Sequence, residues 1–275
     1  FKGYGRYASF TYPQSGFELL AQGLRLSKIG VIKIIQPRPL AGRIQTLTIQ
    51  RDAVGNWYAC CAGAVEPPSL PFNELAVGID VGLSTFATLS NSVTVDNPRF
   101  LRRDAVELGR AQSRSAKDKT PKRGKVSALI HQRLANRRKD FAHKLSRELV
   151  NTYGAICLEN LSIKNMLQNH HLAKIGAAAW RQLIQSTQSK AEWAGRVCEL
   201  VDPRGTAQRG SGCGSVVQKD LAVRVQDCPA CGLVLDRDLN AAINIESIGL
   251  EALGFAPELL SSGVALEAPV FRRGE

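Results

Sequence analysis

Three observations predict a mixed α/β chain. Short apolar runs that end in a carboxylate occur at Leu75 to Asp80 and at Ala155 to Glu159. Between them lies a long stretch with helical periodicity and a heavy excess of Lys and Arg. Ahead of both, residues 1–75 alternate apolar and polar side chains with the period of two that suits strands.

The elements follow in order. Within residues 1–75, Tyr4, Ala8, Phe10 and Tyr12 fall on one face of the alternation. Gly42 to Gln50 and Trp57 to Val65 are two alternating runs, and Asp52 to Asn56, with Gly55, makes the turn of a hairpin. Pro67, Pro68 and Pro71 mark a boundary. Residues 76–98 read as two strands, the first ending at Asp80 and the second resuming at Phe86 after a glycine turn at Gly82. Residues 100–150 read as a helix, a loop near Thr120 to Gly124, and a second helix. In it Val126, Ile130, Leu134, Phe141, Leu145 and Leu149 form the docking stripe, and Arg133, Arg137, Lys144 and Arg147 lie on other faces.

Ala155 to Leu158 is a further apolar strand that Glu159 ends. Ala173 to Val197 is helical, with Trp180, Leu183 and Trp193 as packing anchors. Residues 201–235 form a loop-rich cysteine module, and Asp238 to Leu250 a final helix. Residues 256–275 have no strong pattern and read as a flexible tail.

Charge narrows the partner. The chain of 275 residues carries a net +12, and residues 101–150 alone hold 15 Lys/Arg against 5 Asp/Glu. A basic segment in an otherwise near-balanced chain points to a polyanion, although a solvated helical face reads the same way. The candidate contacts are Arg102, Arg103, Arg110, Arg114, Lys122, Arg123, Lys125, Arg133, Arg137, Arg138 and Lys144. No stretch is apolar and long enough for a membrane span, and no signal peptide or lipidation motif is visible. The expected location is cytoplasmic and, with a polyanion partner, nucleoid-associated. The seven cysteines are Cys60, Cys61, Cys157, Cys198, Cys213, Cys228 and Cys231. An odd number without an export signal argues for reduced thiols, and the cluster from Cys213 to Cys231 argues for metal. The first residue is Phe1 and the one methionine is Met166, which leads us to expect a further segment ahead of Phe1.

Asp80, Glu159 and Asp238 share a placement, two at strand ends and one opening a helix. Neighbouring strand ends can gather such acids, and gathered carboxylates repel unless a cation lies between them. Oxygen ligands suit Mg²⁺ or Mn²⁺, and two ions about 4 Å apart activate water and stabilise the leaving oxygen of a phosphodiester. Taken singly, each acid also fits a plainer role: Asp80 a turn, Asp238 a helix N-cap, Glu159 a polar strand end.

The local strings carry a resemblance. Residues 78–90, Gly78-Ile79-Asp80-Val81-Gly82-Leu83-Ser84-Thr85-Phe86-Ala87-Thr88-Leu89-Ser90, look like the first RuvC motif of the TnpB/OrfB family of insertion-sequence proteins. Ile156-Cys157-Leu158-Glu159-Asn160-Leu161 looks like the second. Asn169 to Lys174 and Lys190-Ala191-Glu192-Trp193 also resemble the family. The run from Cys228 to Ile245 resembles its zinc-ribbon end joined to the third motif. The resemblance spans almost the whole chain, in the family's order.

It implies an RNase H-like (RuvC) nuclease domain over residues 76–200 with the basic helical insertion at 100–150. That domain follows a β-rich partial wedge (OB-like) domain at 1–75. A zinc-ribbon-like target-nucleic-acid-binding module at 201–235 interrupts it before the last motif and helix at 236–255. It implies Asp80, Glu159 and Asp238 as catalytic ligands of two Mg²⁺ or Mn²⁺ ions, Asp238 being the acid in Asp-x-Asn-Ala-Ala. Asp236 then reads as a helix-entry group, and Asn240 as support for the site or the helix start. His170 and His171 match the family string and are given no chemistry. The implied activity is RNA-guided cleavage of DNA, with DNA and a guide RNA as partners, base pairing reading the sequence while protein holds the backbone.

The ribbon departs from the family. Cys228 and Cys231 keep their pair, but Gly210 stands where a partner of Cys213 is expected. Cys213, Cys228 and Cys231 thus make an incomplete Zn²⁺ site, for which Cys198 is a candidate fourth ligand. Cys60, Cys61 and Cys157 read as small core residues. Two further readings stay open: a guided DNA-binding repressor without cleavage, and a transposase that joins strands.

Overall fold

The computed structural model describes residues 8–66, 68–118, 120–161, 171–218 and 223–254. The expectations placed on Tyr4, on His170 and on the tail at 256–275 lie outside them, as do the side chains of Arg102, Arg103, Lys122, Arg123 and His171. The chain divides into two compact units, residues 1–67 with 107–132, and residues 68–106 with 133–275.

The first unit contains two small antiparallel sheets. One has the order β1 (Ser9–Pro13), β5 (Arg43–Arg51), β6 (Trp57–Ala64), and the other runs β2 (Phe17–Leu20), β3 (Gly23–Leu26), β4 (Gly30–Ile32). Leu24, Leu26, Leu47 and Ile49 are its buried centre, with Tyr12, Phe17 and Ile32 against them. The predicted hairpin is β5–β6, and Asp52 builds its turn. Its Oδ1 accepts the amides of Asn56 at 2.8 Å and Val54 at 3.0 Å, and Oδ2 accepts Gln132 Nε2 at 2.7 Å. Desolvation pushes this carboxyl up, but those hydrogen bonds outweigh it and hold Asp52 at about 2. Gly55 at φ +99° supplies the left-handed residue of the turn.

One reading fails here. Cys60 and Cys61 are exposed, not core, because β6 is an edge strand whose residues are exposed on both faces. Alternation in sequence marks a strand but does not say that a second layer covers it.

The second unit is built on a five-stranded sheet of order β11-β10-β7-β8-β9. Strands β7 (Ala76–Val81), β10 (Ala155–Glu159) and β11 (Val197–Val201) are parallel, and β8 (Thr85–Leu89) and β9 (Thr94–Asp96) complete an antiparallel meander. Three strands therefore occupy 76–98 where two are expected, since Thr94–Asp96 pairs back on β8. Helices α1 (Phe100–Lys117) and α2 (Pro121–Thr152) follow β9. The loop expected to Gly124 is shorter, because Pro121 opens α2 as its first residue, where its lack of an N–H costs nothing. Helix α3 (His171–Ala194) precedes β11, and α4 (Arg237–Ala252) ends the described chain.

The two faces of the sheet differ. Val77, Ile79, Ile156 and Leu158 point into a core with Leu145, Leu149, Trp180 and Leu183 from α2 and α3. Phe86 meets Phe141 edge-to-face at 4.9 Å. Two expected members of the apolar stripes lie outside: Val126 is 49% and Trp193 is 55% exposed. Cys157, as expected, is fully buried, on the opposite face with Val201 and Ile245 of α4.

Candidate active site

Strand alternation assigns the two strand-end acids to one face. In β7 the core side takes Val77 and Ile79, which leaves Gly78 and Asp80 facing α4; in β10 it takes Ile156 and Leu158, which leaves Cys157 and Glu159 there. The parallel register pairs Ile79 with Leu158, so Asp80 and Glu159 are the next residues on adjacent strands. Helix α4 crosses β7 in direct backbone contact: a Cβ on Gly78 would stand 2.0 Å from Ala242 O and 2.5 Å from Glu246 N. At its far end Gly249 rides over Cys157, where a Cβ would stand 2.3 Å from Sγ. Two residues without side chains at these crossings set the height of the helix above the sheet, and with it the distance of Asp238 from Asp80.

The electrostatics follow from this packing. Burial pushes Asp80 up to about 8, the negative charges of Glu159 and Asp238 push the same way, and Arg237 opposes them. Glu159 is 8% exposed, and burial pushes it up to about 7 against the Thr206 hydroxyl, which donates to Oε1 at 3.4 Å. Asp236 is the N-cap of α4, accepting the amides of Asp238 at 2.8 Å and Leu239 at 3.1 Å on Oδ1. That occupies Asp236 with the backbone and frees Asp238, one residue into the helix, from the capping role.

Asp238 is held by two guanidinium groups. Arg237 reaches Oδ1 at 3.0 Å and Arg224 reaches Oδ2 at 3.2 Å, while Arg224 also donates to Ser84 Oγ at 3.0 Å in the turn after Asp80. The oxygens of Asp80, Glu159 and Asp238 do not all lie within 4.8 Å of one another. The three acids are thus electrostatically coupled around one end of α4, with cationic side chains beside the third.

Asn240 and Asn244 are buried on α4 and anchor the loop that carries Thr206. Asn240 accepts the Ser211 amide at 2.9 Å and donates to Arg209 O at 2.8 Å; Asn244 donates to Thr206 O at 2.8 Å and Arg209 O at 2.7 Å. Asn240 therefore supports the loop rather than the helix start. Sequence reasoning missed Thr206, Arg224, Arg237 and Asn244. The spacing of Asn240 and Asn244, one turn apart on a buried helix, is the signal that could have found the last.

The cysteine module brings Cys213, Cys228 and Cys231 together, with all three Sγ atoms within 4.8 Å of one another and Cys213 3.4 Å from Cys228. This is a donor set that suits a thiophilic cation. Hydrogen bonds from the Ser215 hydroxyl and amide hold the Cys213 thiol down at about 7. Cys198 is not part of the cluster; it sits in β11, paired with Ile156, against the main core.

Among the candidate phosphate contacts, Arg110, Arg114, Lys125, Arg133, Arg137 and Lys144 are exposed and Arg138 is half-buried. Lys144 pairs with Asp140 at 2.9 Å. A shallow groove of about 580 Å³ adds His143, Arg147 and Lys190 beside Lys144. No helix among the described residues is long and apolar enough to cross a membrane.

Comparison with known proteins bears on this arrangement. Residues 60–170 match the OrfB_IS605 family model, described as "Probable transposase", and residues 180–245 match the Cas12f1-like TNB domain. A Streptomyces pristinaespiralis protein provisionally named an RNA-guided DNA endonuclease is 38% identical over 89% of this chain and 63% of its own length. Escherichia coli K12 InsQ, provisionally named likewise, is 27% identical over 97% of this chain and 72% of its own length. This chain thus spans about two thirds of the length of these relatives. The fold resembles that of Cas12f1 in its complex with sgRNA and target DNA, with a TM-score of 0.55 at 16% identity, over 74% of this chain and 45% of the other. With its sequence motifs in order and both models matching consecutive parts of it, the chain belongs to the TnpB/OrfB family of insertion-sequence proteins.

Proposed function

We propose that the chain is the nuclease-bearing part of a transposon-associated, RNA-guided DNA endonuclease. In this reading residues 76–200 and 236–255 form an RNase H-like RuvC domain, and residues 201–235 a module that touches target nucleic acid. The observation that carries it is the pair Asp80 and Glu159, partly or wholly buried on adjacent strand ends, both pushed toward neutrality and both facing α4. Burying like charges side by side costs free energy that a divalent cation offsets, so the donor set fits Mg²⁺ or Mn²⁺.

Asp80, Glu159 and Asp238 would hold the ions. Bound there, they supply Lewis-acid activation of water and stabilisation of the leaving oxygen. The chain's own side chains do the rest. Thr206 orients Glu159 through its hydroxyl. Asp236 holds the first turn of α4, so Asp238 enters from a rigid element. Arg224 and Arg237 neutralise Asp238, and were ions held there instead, the two guanidiniums would be available to a phosphate. Arg110, Arg114, Lys125, Arg133, Arg137, Arg138 and Lys144 would contact guide or heteroduplex backbone. Zn²⁺ on Cys213, Cys228 and Cys231 would brace the module.

The test is to purify the chain with the RNA it retains, sequence that RNA, and offer matching DNA with Mg²⁺, Mn²⁺ or EDTA. Divalent-dependent cutting that disappears in Asp80→Ala, with circular dichroism unchanged, is the expected result. Undiminished cutting by Asp80→Ala refutes the assignment. A second reading, guided DNA binding without cleavage, is favoured by one observation, the occupation of both Asp238 oxygens by arginine. Target binding by a wild-type chain that never nicks would establish it.

A further inference from the structure

The two turns that carry the cysteines have the same backbone construction. In the second, the Cys228 amide donates to Leu233 O at 3.0 Å, the Gly232 amide donates to Cys228 O at 2.8 Å, and Gly232 has φ +71°. In the first, the Gly210 amide donates to Ser215 O at 2.9 Å, the Gly214 amide donates to Gly210 O at 2.8 Å, and Gly214 has φ +72°. Role for role, Cys213 corresponds to Cys231 and Gly210 to Cys228. Two such turns facing one another present four positions for thiols, and this chain fills three.

The fourth position is not filled by packing. A Cβ on Gly210 would meet Cys228 Sγ and Ser215 O at 3.5 Å and nothing nearer, which is ordinary contact, and its first neighbour is a thiol of the cluster. The φ of Gly210 lies outside the left-handed region, so its backbone does not demand glycine. Nor does another side chain take the place: among the described residues no His, Asp or Glu joins the three thiols. Cys213 and Cys231 are exposed while Cys228 is fully buried, so solvent reaches the cluster from one side.

We propose that Cys213, Cys228 and Cys231 form a three-thiolate site for a thiophilic divalent cation whose fourth ligand, beside Gly210, comes from solution and exchanges, a low-molecular-weight thiol being the class that fits. This rests on the metal-site reading above and extends it. Three thiolates on a divalent ion leave a net charge of −1 and one vertex of the tetrahedron to fill. A soft donor suits an ion already bound to sulfur, and a small thiol places its sulfur and first carbon where a cysteine at 210 would have them. The consequence is a module whose metal affinity depends on the surrounding thiol pool rather than on the protein alone.

The experiment is a Co²⁺ titration of the reduced, metal-free chain, followed by absorption, with and without 2-mercaptoethanol. The expected result is one bound Co²⁺ with thiolate charge-transfer bands, and d–d bands that shift saturably as 2-mercaptoethanol is added. In Gly210→Cys the bands should no longer respond to added thiol, and chelator competition should show Co²⁺ held at least about tenfold more tightly. Cys231→Ser should lose stoichiometric binding; unchanged binding by that variant overturns the ligand set. Absence of bound Co²⁺ in the wild type sinks the metal site and this proposal together. Binding with bands indifferent to added thiol sinks only the exchangeable ligand. Should Gly210→Cys misfold, the thiol response of the wild type still decides.

Discussion

Replacing Asp80 by asparagine should stabilise the metal-free chain at alkaline pH, the reverse of what loss of an ordinary buried polar group does. Asp80 stands at about 8 against 3.8 for a free aspartate. A shift of about 4 units at ~1.4 kcal/mol each sets a ceiling of roughly 5–6 kcal/mol on the cost of its ionised form. Rearrangement and water entry relieve part of that, and about 2–4 kcal/mol is the expected gain. The sign follows from proton linkage. Because the folded state binds the proton more tightly than the unfolded one, wild-type stability falls as pH rises from about 4 to about 8, and the full penalty stands above that window. Below about pH 4 both states are protonated and Asp80→Asn should differ little. Urea unfolding in EDTA at pH 5 and pH 8 measures this, followed by the fluorescence of Trp180, which is 2% exposed. The variant should gain on the wild type as pH rises, and Mg²⁺ should stabilise the wild type at pH 8 but not Asp80→Asn. A variant no more stable than wild type at pH 8 without metal, or a gap that does not widen between the two pH values, refutes the account of the carboxylate pair.

Other expectations follow from the same geometry. Glu159→Gln removes a negative neighbour, so Asp80 should titrate lower, and the alkaline loss of metal-free stability should shrink; a pH–stability curve identical to wild type would contradict the coupling. Gly78→Ala puts a methyl group into the backbone of α4 and should cost about 3 kcal/mol or more in urea unfolding, with divalent binding lost as Asp238 moves away. Asp236→Ala removes the N-cap of α4 and should cost about 1 kcal/mol, with a larger proportional loss in divalent affinity than in stability. Charge-reversing Arg133 and Arg137 should weaken DNA or RNA binding uniformly across sequences and flatten its salt dependence, which for 6–10 phosphate contacts is about 10³–10⁵ in affinity between 50 and 200 mM salt.

Much of the fold is legible in the chain because strand alternation and helix periodicity are local. The hairpin around Gly55, the strands that carry Asp80 and Glu159 near their ends, and the helix beginning near Asp238 follow from spacing and turn chemistry alone, although the first of those strands runs one residue further, to Val81. The errors have local causes too. Trp193 and Val126 sit at positions with the right period, but periodicity gives a face and not what covers it. Cys60 and Cys61 fall within an apolar run, but they face opposite sides of a strand that nothing covers on either face. Arg224 reaches Ser84 across 140 positions of sequence, and no local pattern marks such a partner.

By itself, then, the amino-acid order determined which residues are acids at strand ends, which thiols are paired, and where the basic surface lies, since these are matters of identity and short-range spacing. Only the tertiary structure decided that Gly78 and Gly249 let α4 lie on the sheet, that Asp238 meets two arginines, that Cys198 lies against the main core and away from the other thiols, and that Gly210 faces Cys228. These depend on which faces pack together, and packing is settled by contacts between segments far apart along the chain.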